Sequence, residues 1–224
     1  MVVVLMYGAG ADGSAAWPPR MRRPGHRFME RSGSVADDPV ADANRIVHDS
    51  RAQPVHVVAV SFGGIAAILA AHLAPSRVLS LSLFEPACAH LARQARSVQS
   101  LRRRFEPVVA MRDDHTVDDL TYFAAFGTAM GSSRPLAPQT RSEARRLRRS
   151  PLPWEVAIPN GQLPVPTLVV TGGWSDFYED IADALAAKGA ARHTLRGFGH
   201  AVINHPRAID LVDEFMLTSQ SDTP

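Results

Sequence analysis

Three residues of this chain have the types and settings for nucleophilic catalysis: Ser61, Asp176 and His200. Ser61 stands in Ala59-Val60-Ser61-Phe62-Gly63-Gly64, with small residues two places before it and two and three places after it. A serine on a sharp strand-to-helix turn is held in strained backbone geometry, and its neighbours must be small to avoid collision. Such a turn pushes Oγ into the open and aims a helix N-terminus at any negative charge that develops there. The serine hydroxyl is poorly acidic and needs a base to take its proton as it attacks. A histidine does this near neutral pH, and a carboxylate fixes the imidazole tautomer and stabilises the imidazolium. His200 closes Gly197-Phe198-Gly199-His200, and Asp176 closes Gly173-Trp174-Ser175-Asp176. Each follows a strand-like run, and Glu85, just beyond another, is the rival acid. Asp176 has a plainer reading as the cap of a helix starting at Phe177, and His205, before Pro206, as the entrance to a helix.

The elements that must carry these groups are legible in the apolar pattern. Val55 to Val60 is a β-branched run, and residues 65 to 71 form an apolar helical run without a breaker. Val2 to Tyr7 reads as a buried strand closing on Gly8-Ala9-Gly10. His26 to Met29 is a short extended segment, Pro39 to Ser50 a helix, and Arg77 to Phe84 a strand. Pro166 to Thr171 is a further strand. Phe177 to Lys188 is an amphipathic helix stopped by Gly189, and Arg192 to Leu195 is the last strand. Beyond Pro206, Ile209, Val212, Phe215 and Met216 recur at helical spacing. Strands alternating with helices predict an α/β fold with a mainly parallel sheet flanked by helices, and function at the strands' carboxyl ends. Residues 1–88 and 163–224 form the expected core. Residues 89–162, rich in arginine, amphipathic patches and prolines, form an expected helical cap insertion.

Composition narrows the classes. With 46% apolar and 21% charged residues and a net charge of +2 over 224 residues, the chain is ordinary for a one-domain globular protein. So small a net charge gives no nucleic-acid signature. Cys88 is the lone cysteine, which excludes an intramolecular disulfide and any cysteine metal motif. The opening apolar run lacks a basic flank and is too short for a signal peptide or membrane span, so a cytoplasmic protein is expected, without membrane or nucleic-acid partners. Residues 112–119 (RDDHTVDD) suggest a metal cluster, but Thr116 with Asp119 fits a capping box in a solvated loop better. The arginines at 102–104 and 141–149 are expected on solvated helix faces.

The motifs AVSFGG, LFEPA (83–87), GGWSD (172–176) and GFGHAVINHP (197–206), in the order Ser, Asp, His, resemble the α/β-hydrolase fold superfamily. The likeness is clearest over residues 55–88 and 164–217, and LFEPA and GGWSD look most like small actinobacterial-type serine hydrolases. The resemblance implies Ser61 as nucleophile, Asp176 as orienting acid and His200 as general base. It also implies an oxyanion hole from the Phe62 and Ala9 N–H groups. Tyr7 replaces the usual histidine of the motif at Gly8, and with Trp174 is a candidate for binding substrate. Only 52 residues separate Gly8 from Ser61, fewer than a helix, strand, turn and helix normally take, and the usual leading hairpin is absent. The N-terminal part of the sheet is therefore expected to be reduced, the Val2–Tyr7 strand to approach an edge, and the chain to form a homodimer. The implied function is hydrolysis of a small to medium carboxylic ester or thioester, without metal or organic cofactor. The alternatives are a ligand-binding protein without turnover, or a lactone or C–C-bond hydrolase with the same triad.

Overall fold

A computed structural model of the chain describes residues 2–8, 13–30, 35–131 and 141–221. Six strands form one all-parallel sheet: β1 (Val3–Met6), β2 (His26–Phe28), β3 (Val55–Val60), β4 (Val78–Phe84), β5 (Thr167–Thr171) and β6 (Ala191–Thr194). Their spatial order is β2-β1-β3-β4-β5-β6. Side chains alternate across the sheet, as the period of two requires. Val4, Met6, Val57 and Ala59 enter one core layer with the helices α1 (Pro39–Asp49), α2 (Gly63–Leu73) and α6 (Asp176–Ala186). Val3, Leu5, Val58, Val60 and Val170 enter the other, against α7 (Ala208–Ser221) and the turn residues Trp17 and Met21. Both faces are thus covered, which is why β1 is a continuous apolar run and β3 and β5 are buried along their whole length.

Local signals set the boundaries. Asp38 caps α1, its Oδ1 accepting from Val40 N–H (2.9 Å) and Ala41 N–H (3.0 Å), with Pro39 at the first helical position. Gly189 follows α6 with φ +98°, a left-handed stop that glycine adopts without strain.

The short stretch between Gly8 and Ser61 supplies the expected strand at His26 and helix at Pro39, preceded by two 3-10 turns (Ser14–Ala16 and Pro19–Met21), but one N-terminal expectation needs correction. β2 is only three residues long, yet it pairs with Val3 to Leu5, so β1 lies inside the sheet and is no edge. The argument from an exposed β1 edge to a dimer therefore loses its premise.

Between β4 and β5 the chain inserts α3 (Arg96–Arg112), α4 (Asp119–Ala129) and α5 (Arg141–Arg149). Phe105 of α3 packs edge-on against Phe126 of α4 (5.1 Å) and Trp154 (5.3 Å). Arg148 of α5 is not the solvated arginine expected. Its guanidinium donates to the carbonyls of Met111 (2.8 Å), Arg112 (2.9 Å), Asp114 (2.7 Å) and Val117 (2.5 Å), satisfying the C-terminus of α3. The RDDHTVDD segment is also corrected. Asp118, not Thr116, caps α4 by accepting from Thr121 N–H (2.8 Å), while Asp114 accepts from the Thr116 backbone N–H and hydroxyl. Among the described residues no cluster of His, Cys, Asp and Glu is arranged to hold a metal ion, and no helix is long and apolar enough to cross a membrane.

Candidate active site

Ser61 is the residue after β3, and its φ of +53° is a conformation few non-glycine residues adopt. Phe84 C=O accepts from Ser61 N–H (2.9 Å), and Ser61 C=O accepts from Gly64 N–H (3.0 Å) and Ala87 N–H (3.0 Å). These three bonds over-determine a turn that costs about 1–3 kcal/mol in backbone strain. The small neighbours have measurable reasons. A Cβ on Gly63 would lie 2.6 Å from Tyr7 C=O and 2.7 Å from Met6 C=O, and one on Gly64 would lie 2.9 Å from Pro86 Cβ. Gly8 stands over the serine, where a Cβ would come within 3.0 Å of Ser61 Cβ. Phe62 N–H opens α2 directly after Ser61, where the helix dipole favours negative charge.

Glu85 holds the equivalent place on the neighbouring strand. Val60 and Phe84 are register partners, so Ser61 and Glu85 leave adjacent strand ends side by side. Glu85 is the other described non-glycine residue with positive φ, at +45°. Its carboxylate is completely buried and accepts from Gly172 N–H at 2.5 Å and Trp174 Nε1–H at 3.0 Å. His200 Nδ1 faces the same carboxylate, 3.5 Å from Oε2. The loop that brings His200 there packs backbone on backbone, since a Cβ on Gly172 would lie 2.5 Å from Gly199 C=O.

Asp176 is placed differently from the expectation. It is exposed in the first turn of α6, after Ser175 at the N-cap, and among the described residues its carboxylate has no hydrogen bond or ion pair. An acidic side chain there favours the helix dipole. The structure thus brings Glu85, not Asp176, to the imidazole. His205 Nδ1 accepts from Arg207 N–H (3.1 Å), in keeping with a helix entrance.

Ser61, His200, Tyr7, Gly8, Phe62, Trp174 and Tyr178 line one cavity of about 480 Å³, within the range of small-molecule sites. Its outer wall is Phe126, Met130, Leu147 and the Ser150–Pro153 stretch from the inserted region. Tyr7 packs edge-on against Trp17 (5.4 Å), and burial pushes its phenol pKa up. Trp174, held by Glu85, lies near His200 at 6.5 Å between ring centroids. Ala9 lies outside the described residues.

Sequence reasoning missed Tyr178. It is buried in α6 with its ring stacked on His200, centroids 5.0 Å apart and planes 24° apart, and it lines the same cavity as Ser61. Burial drives its phenol pKa upward, reinforced by the nearby Glu85 charge and opposed by the Ser61 hydroxyl. Among the described residues no hydrogen bond joins Ser61 to His200. The only sequence signal for Tyr178 was its position two residues after Asp176, in a helix whose buried face also carries Phe177 and Ile181.

No protein-family model matches this sequence, and no curated protein does. Solved structures do resemble it. One is an epoxide hydrolase of the α/β-hydrolase superfamily from hot-environment metagenomes, 16% identical over 99% of this chain and 91% of that one, with a TM-score of 0.63. Another is a carboxylesterase of the thaumarchaeon Nitrososphaera gargenis, 15% identical over 99% of this chain and 91% of that one, at 0.62. A third is a hydrolase from Oleispira antarctica, 12% identical over 96% and 90%, at 0.64. With its six parallel strands, the serine turn after β3 and these neighbours, the chain has the α/β-hydrolase fold.

Proposed function

We propose that the protein is a serine hydrolase that cleaves a neutral carboxylic ester or thioester of small to medium size through an acyl-enzyme on Ser61. The observation that carries this reading is the strained Ser61 turn opening into a cavity shared with His200, whose Nδ1 faces the buried Glu85 carboxylate. His200 Nε2 takes the Ser61 proton as Oγ attacks the carbonyl, then delivers it to the departing alcohol or thiol. Glu85 replaces Asp176 as the acid that keeps the Nδ1–H tautomer and stabilises the imidazolium. Phe62 N–H and Ala9 N–H are the donors assigned to the tetrahedral oxyanion. Water then attacks the acyl-enzyme with His200 again as base, releasing the acid.

The cavity wall supports the substrate class. Among the described lining residues His200 is the sole ionisable cation and there is no carboxylate, and Phe126, Met130, Leu147, Leu152 and Trp174 give the wall an apolar character. Trp174 N–H and the Ser150 hydroxyl are already committed within the protein. A charged acyl group would be buried there without a partner, at a cost of several kcal/mol.

One observation favours a second reading, a ligand-binding protein without turnover: no hydrogen bond joins Ser61 to His200 among the described residues. Catalytic hydrogen bonds often tighten only once substrate is bound, and turnover separates the two readings. Purified protein is expected to hydrolyse p-nitrophenyl esters, and Ser61→Ala to lose that activity. Saturable ester binding with no turnover by the wild type would favour the binding protein.

A further inference from the structure

The reacting pair has one close neighbour that the acyl-enzyme scheme leaves without a role. Tyr178 is almost wholly buried, yet it borders the cavity beside Ser61 and His200. Its ring is wedged against Phe177 (5.0 Å) and Trp174 (5.9 Å) as well as the imidazole, so it cannot turn away without opening the core. His200, by contrast, has a side chain 43% exposed and needs something to hold its plane.

We propose that Tyr178 is the positioning residue of this site, its ring backing the His200 imidazole and its hydroxyl donating to Ser61 Oγ. The inference rests on Ser61 being the nucleophile. A buried phenol keeps its proton across the neutral range and remains a donor there. A serine oxygen that accepts from Tyr178 has one lone pair engaged and its own proton turned elsewhere, and His200 Nε2 is the acceptor that shares the cavity. During attack the Oγ–carbonyl bond forms, the Oγ proton passes to Nε2 and the carbonyl π pair moves onto oxygen. Tyr178 keeps its proton throughout. The electron-rich face of the ring, parallel to the imidazole, also favours the imidazolium that this transfer creates.

The test compares Tyr178→Phe, Tyr178→Met and Ser61→Ala in the full chain with a p-nitrophenyl ester and a fluorophosphonate probe. Tyr178→Phe is expected to lose tenfold or more in kcat and in labelling rate, with KM within twofold and the acid limb of the pH profile unmoved. Tyr178→Met, lacking the ring, is expected to shift that limb to lower pH as well. Because either variant could fold poorly, the stack is also read in the wild type by NMR. The His200 Hε1 resonance, assigned with His200→Gln, is expected upfield through the ring current of Tyr178. Wild-type kcat and labelling in Tyr178→Phe, or an unshifted Hε1 resonance, overturns the role of Tyr178 even where Ser61→Ala is dead. Turnover and labelling retained in Ser61→Ala would instead overturn the nucleophile, and the inference with it.

Discussion

Replacing the buried acid by its amide, Glu85→Gln, separates the two carboxylates that compete for the histidine. Glu85 accepts from Gly172 N–H and from Trp174 Nε1–H, and its Oε2 lies 3.5 Å from His200 Nδ1. In the proposed triad all three neighbours present donors, and glutamine offers one acceptor oxygen where glutamate offers two. Whichever way the amide is turned, an N–H group meets a donor. If it faces His200, the ring adopts the other tautomer, Nε2 carries the proton and cannot accept one from Ser61. Loss of the correct tautomer in a triad costs up to about ten-thousandfold in kcat, so a fall of at least a hundredfold is expected. The unsatisfied buried donor costs about 1–3 kcal/mol in stability, which lowers Tm by roughly 2–12 °C in a chain of this size. Asp176→Asn changes an exposed helix-terminal side chain and is expected to leave kcat within about twofold. Steady-state hydrolysis of a p-nitrophenyl ester, with calorimetry on the same samples, reads both effects. A thousandfold loss in Asp176→Asn beside an active Glu85→Gln would refute the assignment and restore Asp176 as the acid.

The remaining predictions concern packing, the cavity and pH. Gly8→Ala sets a methyl 3.0 Å from Ser61 Cβ and 3.5 Å from Oγ, so kcat/KM should fall about ten- to hundredfold with the fold retained; unchanged kinetics would show that Gly8 does not constrain the serine. At roughly 30 Å³ per water-sized group, the cavity of about 480 Å³ holds about sixteen such groups. Medium-chain esters should therefore outrun acetate esters, and Leu147→Trp should move the optimum to shorter chains; an optimum at acetate that ignores Leu147→Trp contradicts this. His56 is buried with Nδ1 2.7 Å from Ser80 Oγ, and burial lowers its pKa from 6.5 to about 4. The unfolded chain therefore binds the proton first as pH falls. Stability should decline between pH 6.5 and 4, by at most about 3 kcal/mol from this group. Tm measured across that window should slope less steeply in His56→Gln, and an equal slope would remove His56 as the cause.

What the sequence made legible follows the physics of each signal. The Ser61 turn was readable because both flanks are apolar runs of opposite period and the small residues are local requirements, met here by contacts at Gly63 and Gly64. The acid was not, because Glu85 and Asp176 both follow strands. The choice turns on the approach of Gly172 to the Gly199 backbone, a long-range contact with no local signature. Tyr178 was hidden for the same reason, being one more apolar position on a buried helix face until the His200 loop folds over it. In the region before Ser61 the strand at His26 and the helix at Pro39 were legible, but the pairing of so short a strand with β1 was not, and the 3-10 turns leave almost no periodicity. Arg148 shows the converse error, since an arginine in a basic run reads as solvated unless the carbonyls it caps are known.

The central claim is that Ser61 becomes acylated, and intact-protein mass spectrometry tests it most directly. After a fluorophosphonate probe, or after rapid quenching during ester turnover, a single adduct should map to the peptide carrying Ser61 and be absent from Ser61→Ala. Ester hydrolysis that proceeds with Ser61 unmodified, or undiminished in Ser61→Ala, would contradict the account.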